Sequence, residues 1–375
     1  MTRVLVLGSG MIGSAVALDL ARDRAFDVAV ADVSRDRLAA AARAGARTIE
    51  VDLSSPAAIA RVAADCDLVV GALPSAVGYR SVEAVIATRR HCVDISFMPE
   101  NALALDAAAR ANGVTVVVDC GIAPGLSNMM VGFAAAQLQT CERVDIAVGG
   151  LPRERRWPYE YKAGFAPSDV IEEYVRPARV VEGGRVVVKP ALSDVELLDV
   201  DGVGTLEAFV TDGLRSLVDT VRAPFMRERT LRYPGHAALM RAFRETGLFS
   251  LDALDVGGQR VRPRDVTSAL LFPRWTFAEG EADLTVMRVL VEGRDARGAR
   301  RFEWHLLDTY DAATQLRAMS RTTAFSAAAV VRRVASGAFA RPGVCAPETI
   351  GAQQGLLNEA VRDLRARGIQ IEERT

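Results

Sequence analysis

The first third of the chain alternates short β-branched runs with longer Ala-rich amphipathic stretches, the pattern of parallel strands joined by crossover helices. The spacing predicts strands near 3–7, 27–31, 47–51, 67–71, 91–95 and 114–118 and helices near 12–24, 35–43, 56–64, 78–90 and 100–112. Ser34, Ser55 and Pro56 read as helix starts, and Gly45 and Gly113 as stops. The implied fold is α/β, a Rossmann-type doubly wound sheet. Beyond about residue 125 the pattern changes to β-branched runs at 143–149, 185–189, 195–200, 284–292 and 300–307. Gly183-Gly184, Asp201-Gly202 and Gly257-Gly258 punctuate them as hairpin or loop turns. A second α+β domain with an antiparallel sheet follows, with helices near 235–246, 321–337 and 347–368.

The first predicted turn reads Gly8-Ser9-Gly10-Met11-Ile12-Gly13, between a strand and a helix. Glycine there serves a tight turn, backbone approach to a pyrophosphate and close helix packing, while the helix start offers N–H donors. Asp32 ends the second strand, where a carboxylate can accept hydrogen bonds from the adenosine ribose. Its charge disfavours a 2′-phosphate, so NAD is the expected cofactor, although Arg35 leaves NADP open. Asp52 and Leu53 are placed to border the adenine and Ala72, Leu73 and Pro74 the nicotinamide ribose, with ordinary βα loops as the alternative.

Composition narrows the remaining chemistry. The formal net charge is -1 with both signs interspersed, so neither nucleic acid nor a membrane surface is an expected partner. A small amino-acid substrate fits better. The five cysteines lack zinc-site spacing, so no metal is expected and the thiols read as reduced. Only Lys162 and Lys189 are lysines, so arginine, which cannot serve as an ordinary base, carries nearly all the positive charge. With no charged and apolar leader pattern, a cytoplasmic location is expected.

The segment Val118-Asp119-Cys120-Gly121-Ile122-Ala123-Pro124-Gly125-Leu126-Ser127-Asn128 resembles the saccharopine dehydrogenase family. So do Val93 to Ser96, Glu207 to Arg215 and Thr230-Leu231-Arg232-Tyr233-Pro234-Gly235-His236. Within the family the chain is most similar to members that oxidise the ε-amine of L-lysine with NAD and release ammonia. Relatives that form or cleave saccharopine usually carry Asp before the Pro-Gly, where this chain has Ala123. A saccharopine- or opine-type dehydrogenase stays open as the alternative, as does a non-catalytic NAD-binding regulator. The resemblance implies a nucleotide domain over 1–125, a substrate-binding and oligomerisation domain over 126–320, C-terminal helices over 321–375 that return to the nucleotide domain, and a homo-oligomer.

Amine oxidation needs a neutral amine, a C–H held near the nicotinamide and groups that move protons as the imine hydrolyses. His236 and Asp119 are the proton-handling candidates, with helix capping as the structural alternative for each. Arg232 and Arg215 are candidates for the α-carboxylate, with Thr211, Asp212, Tyr233 and Asn128 completing a polar pocket. Asp94 reads as a buried support, and Ser96 as a residue opening toward the cofactor.

Overall fold

The computed structural model describes residues 1–374. The first 137 residues form β1 (Thr2–Leu7), α1 (Met11–Ala21), β2 (Phe26–Asp32), α2 (Arg35–Arg43), β3 (Arg47–Glu50), α3 (Pro56–Ala63), β4 (Leu68–Gly71), α4 (Ser75–Ala87), β5 (His91–Asp94), a 3-10 turn at Ala102–Leu105, α5 (Asp106–Ala111), β6 (Thr115–Val117) and α6 (Leu126–Ala135). The inner strands are largely apolar, as burial on both faces of a parallel sheet demands, whereas the edge strand β3 exposes Arg47, Thr48 and Glu50. Ser34 accepts the Arg37 N–H at the start of α2, and Pro56 opens α3, where its missing N–H costs nothing.

The second unit, Leu138–Met319 with Glu372–Thr375, holds β7 (Thr140–Pro152), α7 (Pro167–Val175), β8 (Ala178–Glu182), β9 (Arg185–Lys189), β10 (Glu196–Val200), β11 (Gly204–Val210), α8 (Leu217–Thr220), β12 (Phe225–Arg232), α9 (His236–Glu245), β13 (Leu254–Val256), β14 (Gln259–Val261), α10 (Pro263–Trp275), β15 (Asp283–Asp295) and β16 (Gly298–Thr309). Gly183-Gly184 and Gly257-Gly258, all with positive φ, close the β8–β9 and β13–β14 hairpins, as two-residue turns of this kind require. The main sheet is mixed rather than purely antiparallel, because β12 runs parallel to β7 from Phe225 opposite Arg143 to Thr230 opposite Val148. Strands β8, β11, β12, β13 and β14 escaped the hydropathy pattern; β12 carries charge at Arg227, Glu228, Arg229 and Arg232, which breaks the alternation.

The tail adds α11 (Ala318–Ala335), β17 (Gly343–Cys345), α12 (Pro347–Gly351), α13 (Leu356–Arg365) and β18 (Gln370–Arg374). The helix expected over 347–368 is two helices, broken where Gly355 adopts φ +85. Residues 320–371 group with the first 137, and α6 belongs there too, so the division falls after Gln137 rather than after 125. Strand β17 completes a seven-stranded sheet of order β17-β6-β5-β4-β1-β2-β3. The second sheet runs β10-β11-β12-β7-β15-β16-β18.

Two glycines bring α6 and α12 together. A Cβ on Gly132 would lie 2.1 Å from the Glu348 carbonyl oxygen, and one on Gly351 would lie 1.9 Å from that of Met129. Alanine in a helix ordinarily gains about 1 kcal/mol over glycine, so the sign of the substitution isolates this contact. Gly132→Ala and Gly351→Ala should each lower stability by about 1–3 kcal/mol in urea unfolding. A stabilised variant would show that the helices have room to part.

Candidate active site

At the carboxyl end of β1 the three glycines serve separate steric needs. Gly8 sits at φ +96 with its would-be Cβ 2.6 Å from the Ala72 carbonyl oxygen, and a Cβ on Gly13 would lie 2.0 Å from the Gly8 oxygen. Gly10, by contrast, faces open space, with nothing within 4 Å of its Cβ position. Helix α1 starts there with no side-chain cap, so its first-turn N–H groups are available to a phosphate. The cradle fits a pyrophosphate.

Asp32 is buried and braces this loop. Its Oδ2 accepts the Ser9 N–H at 2.7 Å and its Oδ1 the Ser34 N–H at 2.8 Å. Each carboxylate oxygen keeps a second lone pair, so the ribose reading is compatible with this bracing. Arg35 is drawn to Glu50 at 2.8 Å, whereas Arg37, passed over in the sequence, lies 3.9 Å from Asp32. Leu53 points into the apolar core and cannot border an adenine with its side chain. Asp52 accepts the Ser54 N–H at 2.9 Å, which holds its carboxyl below the usual range. Met11 is exposed and Ile12 half-buried. Ala72 and Leu73 are half-buried and Pro74 is exposed, on the turn after β4.

Asp119, at φ +53, lies two residues past β6, a strand that neighbours β5. The adjacent Cys120 N–H donates to the Asp94 carbonyl at 2.9 Å. Asp94 is fully buried, and burial, helped by the charge of Asp119, pushes its carboxyl up to about 8. Asn128 is a structural cap: its Oδ1 accepts the Gly125 N–H at 3.2 Å and the Ser127 hydroxyl at 3.0 Å.

In the second unit His236 and Arg232 come together in an aromatic nest. His236 Nδ1 faces the Tyr159 carbonyl at 3.1 Å and Nε2 faces the Tyr174 hydroxyl at 2.8 Å. A carbonyl can only accept, so Nδ1 carries the proton and Nε2 accepts from Tyr174. Burial first, then the Arg232 charge, pushes His236 down to about 3. Both ring nitrogens are committed, so the side chain expected to move protons is a buried neutral brace. Arg232 pairs with Glu173 at 2.8 Å and lies 4.5 Å over the Tyr161 ring, so a substrate carboxylate would compete with Glu173. Tyr233 donates its hydroxyl to the Pro152 carbonyl at 2.9 Å.

Thr211, Asp212 and Arg215 form a second group around a carboxyl that sequence reasoning missed. Glu228 accepts the Thr211 hydroxyl at 2.5 Å and the Gly213 N–H at 3.2 Å, and burial pushes it up to about 7. Asp212 takes Arg179 at 2.9 Å, with Arg215 at 4.0 Å. Glu207, also missed, caps α9 by accepting the Gly235 N–H at 2.9 Å and the Ala237 N–H. Glu207 was marked only as the start of a family-like segment and Glu228 not at all, because each acts through a chain neighbour remote in sequence.

Two family models match the chain: "Saccharopine dehydrogenase NADP binding domain" over residues 4–117 and "Saccharopine dehydrogenase C-terminal domain" over residues 121–369. Alpha-aminoadipic semialdehyde synthase, mitochondrial, of Bos taurus is 25% identical over 268 residues, 67% of this chain and 29% of that protein. Saccharopine dehydrogenase (NADP(+), L-glutamate-forming) of Saccharomyces cerevisiae is 23% identical over 269 residues, 68% of this chain and 60% of that protein. The chain therefore matches less than two thirds of the length of either relative. Among solved structures, apo histidine-tagged saccharopine dehydrogenase (L-Glu forming) from Saccharomyces cerevisiae shares the fold at a TM-score of 0.81, with 18% identity over 100% of both chains.

The state of His236 has a pH signature. Its folded value of about 3 lies below the ordinary 6.5, so the unfolded chain binds the extra proton between those values and stability falls as pH drops through that window. Native protein should lose on the order of 4 kcal/mol from this residue across that range. His236→Asn, less stable at neutral pH, should show a shallower acid loss in denaturant titrations; equal slopes would place the charge change elsewhere.

Proposed function

The chain belongs to the saccharopine dehydrogenase family, and on that premise we propose that it is a pyridine-nucleotide-dependent oxidoreductase acting on the carbon that bears the ε-nitrogen of lysine. The observation that carries this reading is the open cradle at Gly10, at the start of α1, in a chain matched by family models in both of its parts. No helix among the described residues is long and apolar enough to cross a membrane.

The specific reading is oxidation of free L-lysine with NAD. When bound, the nicotinamide would supply a hydride acceptor, so that the ε-amine could lose a hydride and a proton to become an imine that water would convert to an aldehyde and ammonia. The chain's own groups bind and orient. Gly8 to Gly13 would receive the pyrophosphate, and Asp32 would face the ribose with a negative charge that repels a 2′-phosphate. Asp119 is the candidate to take the amine proton, and Arg232 and Arg215 are the candidates to hold the α-carboxylate. His236 positions Tyr174 and the Tyr159 backbone rather than exchanging protons.

The second reading is saccharopine cleavage or formation, supported by the activities for which the relatives are named, one of them NADP-linked. Arg37 beside Asp32 is a feature of this chain that a 2′-phosphate would use. Ala123 in place of the usual Asp favours the lysine reading.

Lysine and saccharopine should be assayed with NAD and NADP, following reduced nucleotide, ammonia and glutamate. Lysine with stoichiometric ammonia is expected; saccharopine turnover with glutamate and no ammonia would transfer the conclusion to the second reading. With lysine, kcat/KM should rise through about pH 9, because the ε-ammonium must first lose a proton held with a pKa near 10.4. Asp32→Ala should narrow the preference for NAD over NADP. A native preference of about tenfold or more for NADP, roughly 1.4 kcal/mol, would place Arg37 or Arg35 in control of that choice.

A further inference from the structure

Asp94 ends β5 at the carboxyl edge of the sheet and is 0% exposed. Its Oδ1 accepts the Ser96 N–H at 2.8 Å, and its Oδ2 lies 3.3 Å from the Ser96 hydroxyl. That hydroxyl also lies 3.1 Å from the Leu73 carbonyl oxygen, to which it donates. Leu73 belongs to the turn between β4 and α4. The carboxyl has no slack: a Cβ on Gly71 would come 1.8 Å from Asp94 Oδ2, and one on Gly78 would come 2.7 Å from the Ser96 Cβ. Three groups thus form a chain, Asp94 to Ser96 to Leu73, with one hydroxyl proton to share.

A serine hydroxyl donates one hydrogen bond at a time. While Asp94 is protonated, its own O–H can serve the Ser96 oxygen, and the serine proton goes to Leu73. Once Asp94 ionises, a buried carboxylate is the stronger acceptor, and the serine proton turns toward it. Leu73 then loses its tie. The ionisable groups facing Asp94 are Cys92 on β5 and Asp119 and Cys120 beyond β6. Burial raises both thiols, with Asp94 itself as the next cause, so they stay protonated near neutrality and cannot substitute for it. The turn residues Ala72 to Ser75 and Gly78 on α4 bring no ionisable side chain.

We propose that Asp94 is a positioning residue for the nucleotide, holding the β4–α4 turn through Ser96 when protonated and releasing it when ionised. The proposal rests on nucleotide binding at Gly8 to Gly13, and it explains why a carboxyl rather than an amide stands under the turn. The step moves one proton from Asp94 to solvent and reorients one hydroxyl.

Asp94→Asn is the informative variant, because an amide reproduces the protonated carboxyl's donor and acceptor and cannot ionise. NADH affinity, read by fluorescence, should weaken about 3- to 10-fold in the native protein as pH rises through about 8, the worth of one neutral hydrogen bond. Asp94→Asn should keep the neutral-pH affinity across that range, and Ser96→Ala should bind weakly at every pH. Amide exchange over Leu73 to Val77 in nucleotide-free protein supplies an independent readout. Corrected for intrinsic rates, it should accelerate above the same pH in the native protein and not in Asp94→Asn. Native protein that binds no NADH at any pH would remove the nucleotide reading while the exchange comparison still decides the latch. An Asp94→Asn variant whose exchange retains the native inflection, or native protein with no inflection, would overturn the proposal.

Discussion

Strand β1 is hydrogen-bonded on one edge to β2 and on the other to β4, all three running parallel, and the candidate site follows from that pairing. The chain leaves β1 between two neighbours whose connections depart in opposite directions along the sheet, so a crevice opens at the loop at Gly8. Backbone bonds then tie the flanking loops to this point. The Gly8 N–H donates to Ala31 and the Ala72 N–H to Leu7, at 2.8 and 2.9 Å, so the carboxyl ends of three strands share one small region. Asp32 adds a side-chain brace from β2 to the glycine loop. Loss of that register would scatter Gly10, Asp32 and Leu73, whatever their identities.

The second unit is organised around a different constraint, the cost of burying charge and polar groups. Arg232 is 3% exposed, and its charge is balanced by Glu173, while the neighbouring imidazole of His236 is held neutral. Glu228, equally buried, meets the same constraint by rising toward neutrality and taking hydrogen bonds from Thr211 and Gly213. These groups stabilise only as sets, because removing one member strands its partner away from water. The residues that look most chemical in the sequence are therefore the ones most occupied in the fold. Asp119 stands just past β6 in a left-handed backbone conformation, the kind of strain that clusters at functional positions.

Much of the nucleotide unit was legible because its signals are local. A strand buried on both faces reads as a largely apolar run, and a helix start carries Ser34 or Pro56 at a set place, so the inner strands and their helices needed no tertiary knowledge, while β3, exposed at the sheet edge, was placed by the alternation of strand and helix around it. The glycine spacing likewise encodes its own use. Strand β17 was not legible: three residues, Gly343 to Cys345, carry too little pattern, and only pairing with β6 makes them a strand. Nor was β12, whose charges at Arg227, Glu228, Arg229 and Arg232 face partners distant in the chain.

The sequence by itself determined the α/β class, the parallel sheet and the phosphate cradle, since each depends on periodicity or on spacing within one turn, and it carried the family through the resemblance of a few short segments. Tertiary structure alone decided what the polar candidates do. Whether His236 can take a proton, whether Arg232 is open to a substrate and whether Asp94 ionises near neutrality depend on burial and on Tyr174, Glu173 and Ser96. Two of those partners lie roughly 60 residues away, and the third matters only because the sheet seals it from water. A side chain's type sets its chemistry in water, but its neighbours set which proton or charge it keeps, and linear spacing does not encode neighbours brought together by packing.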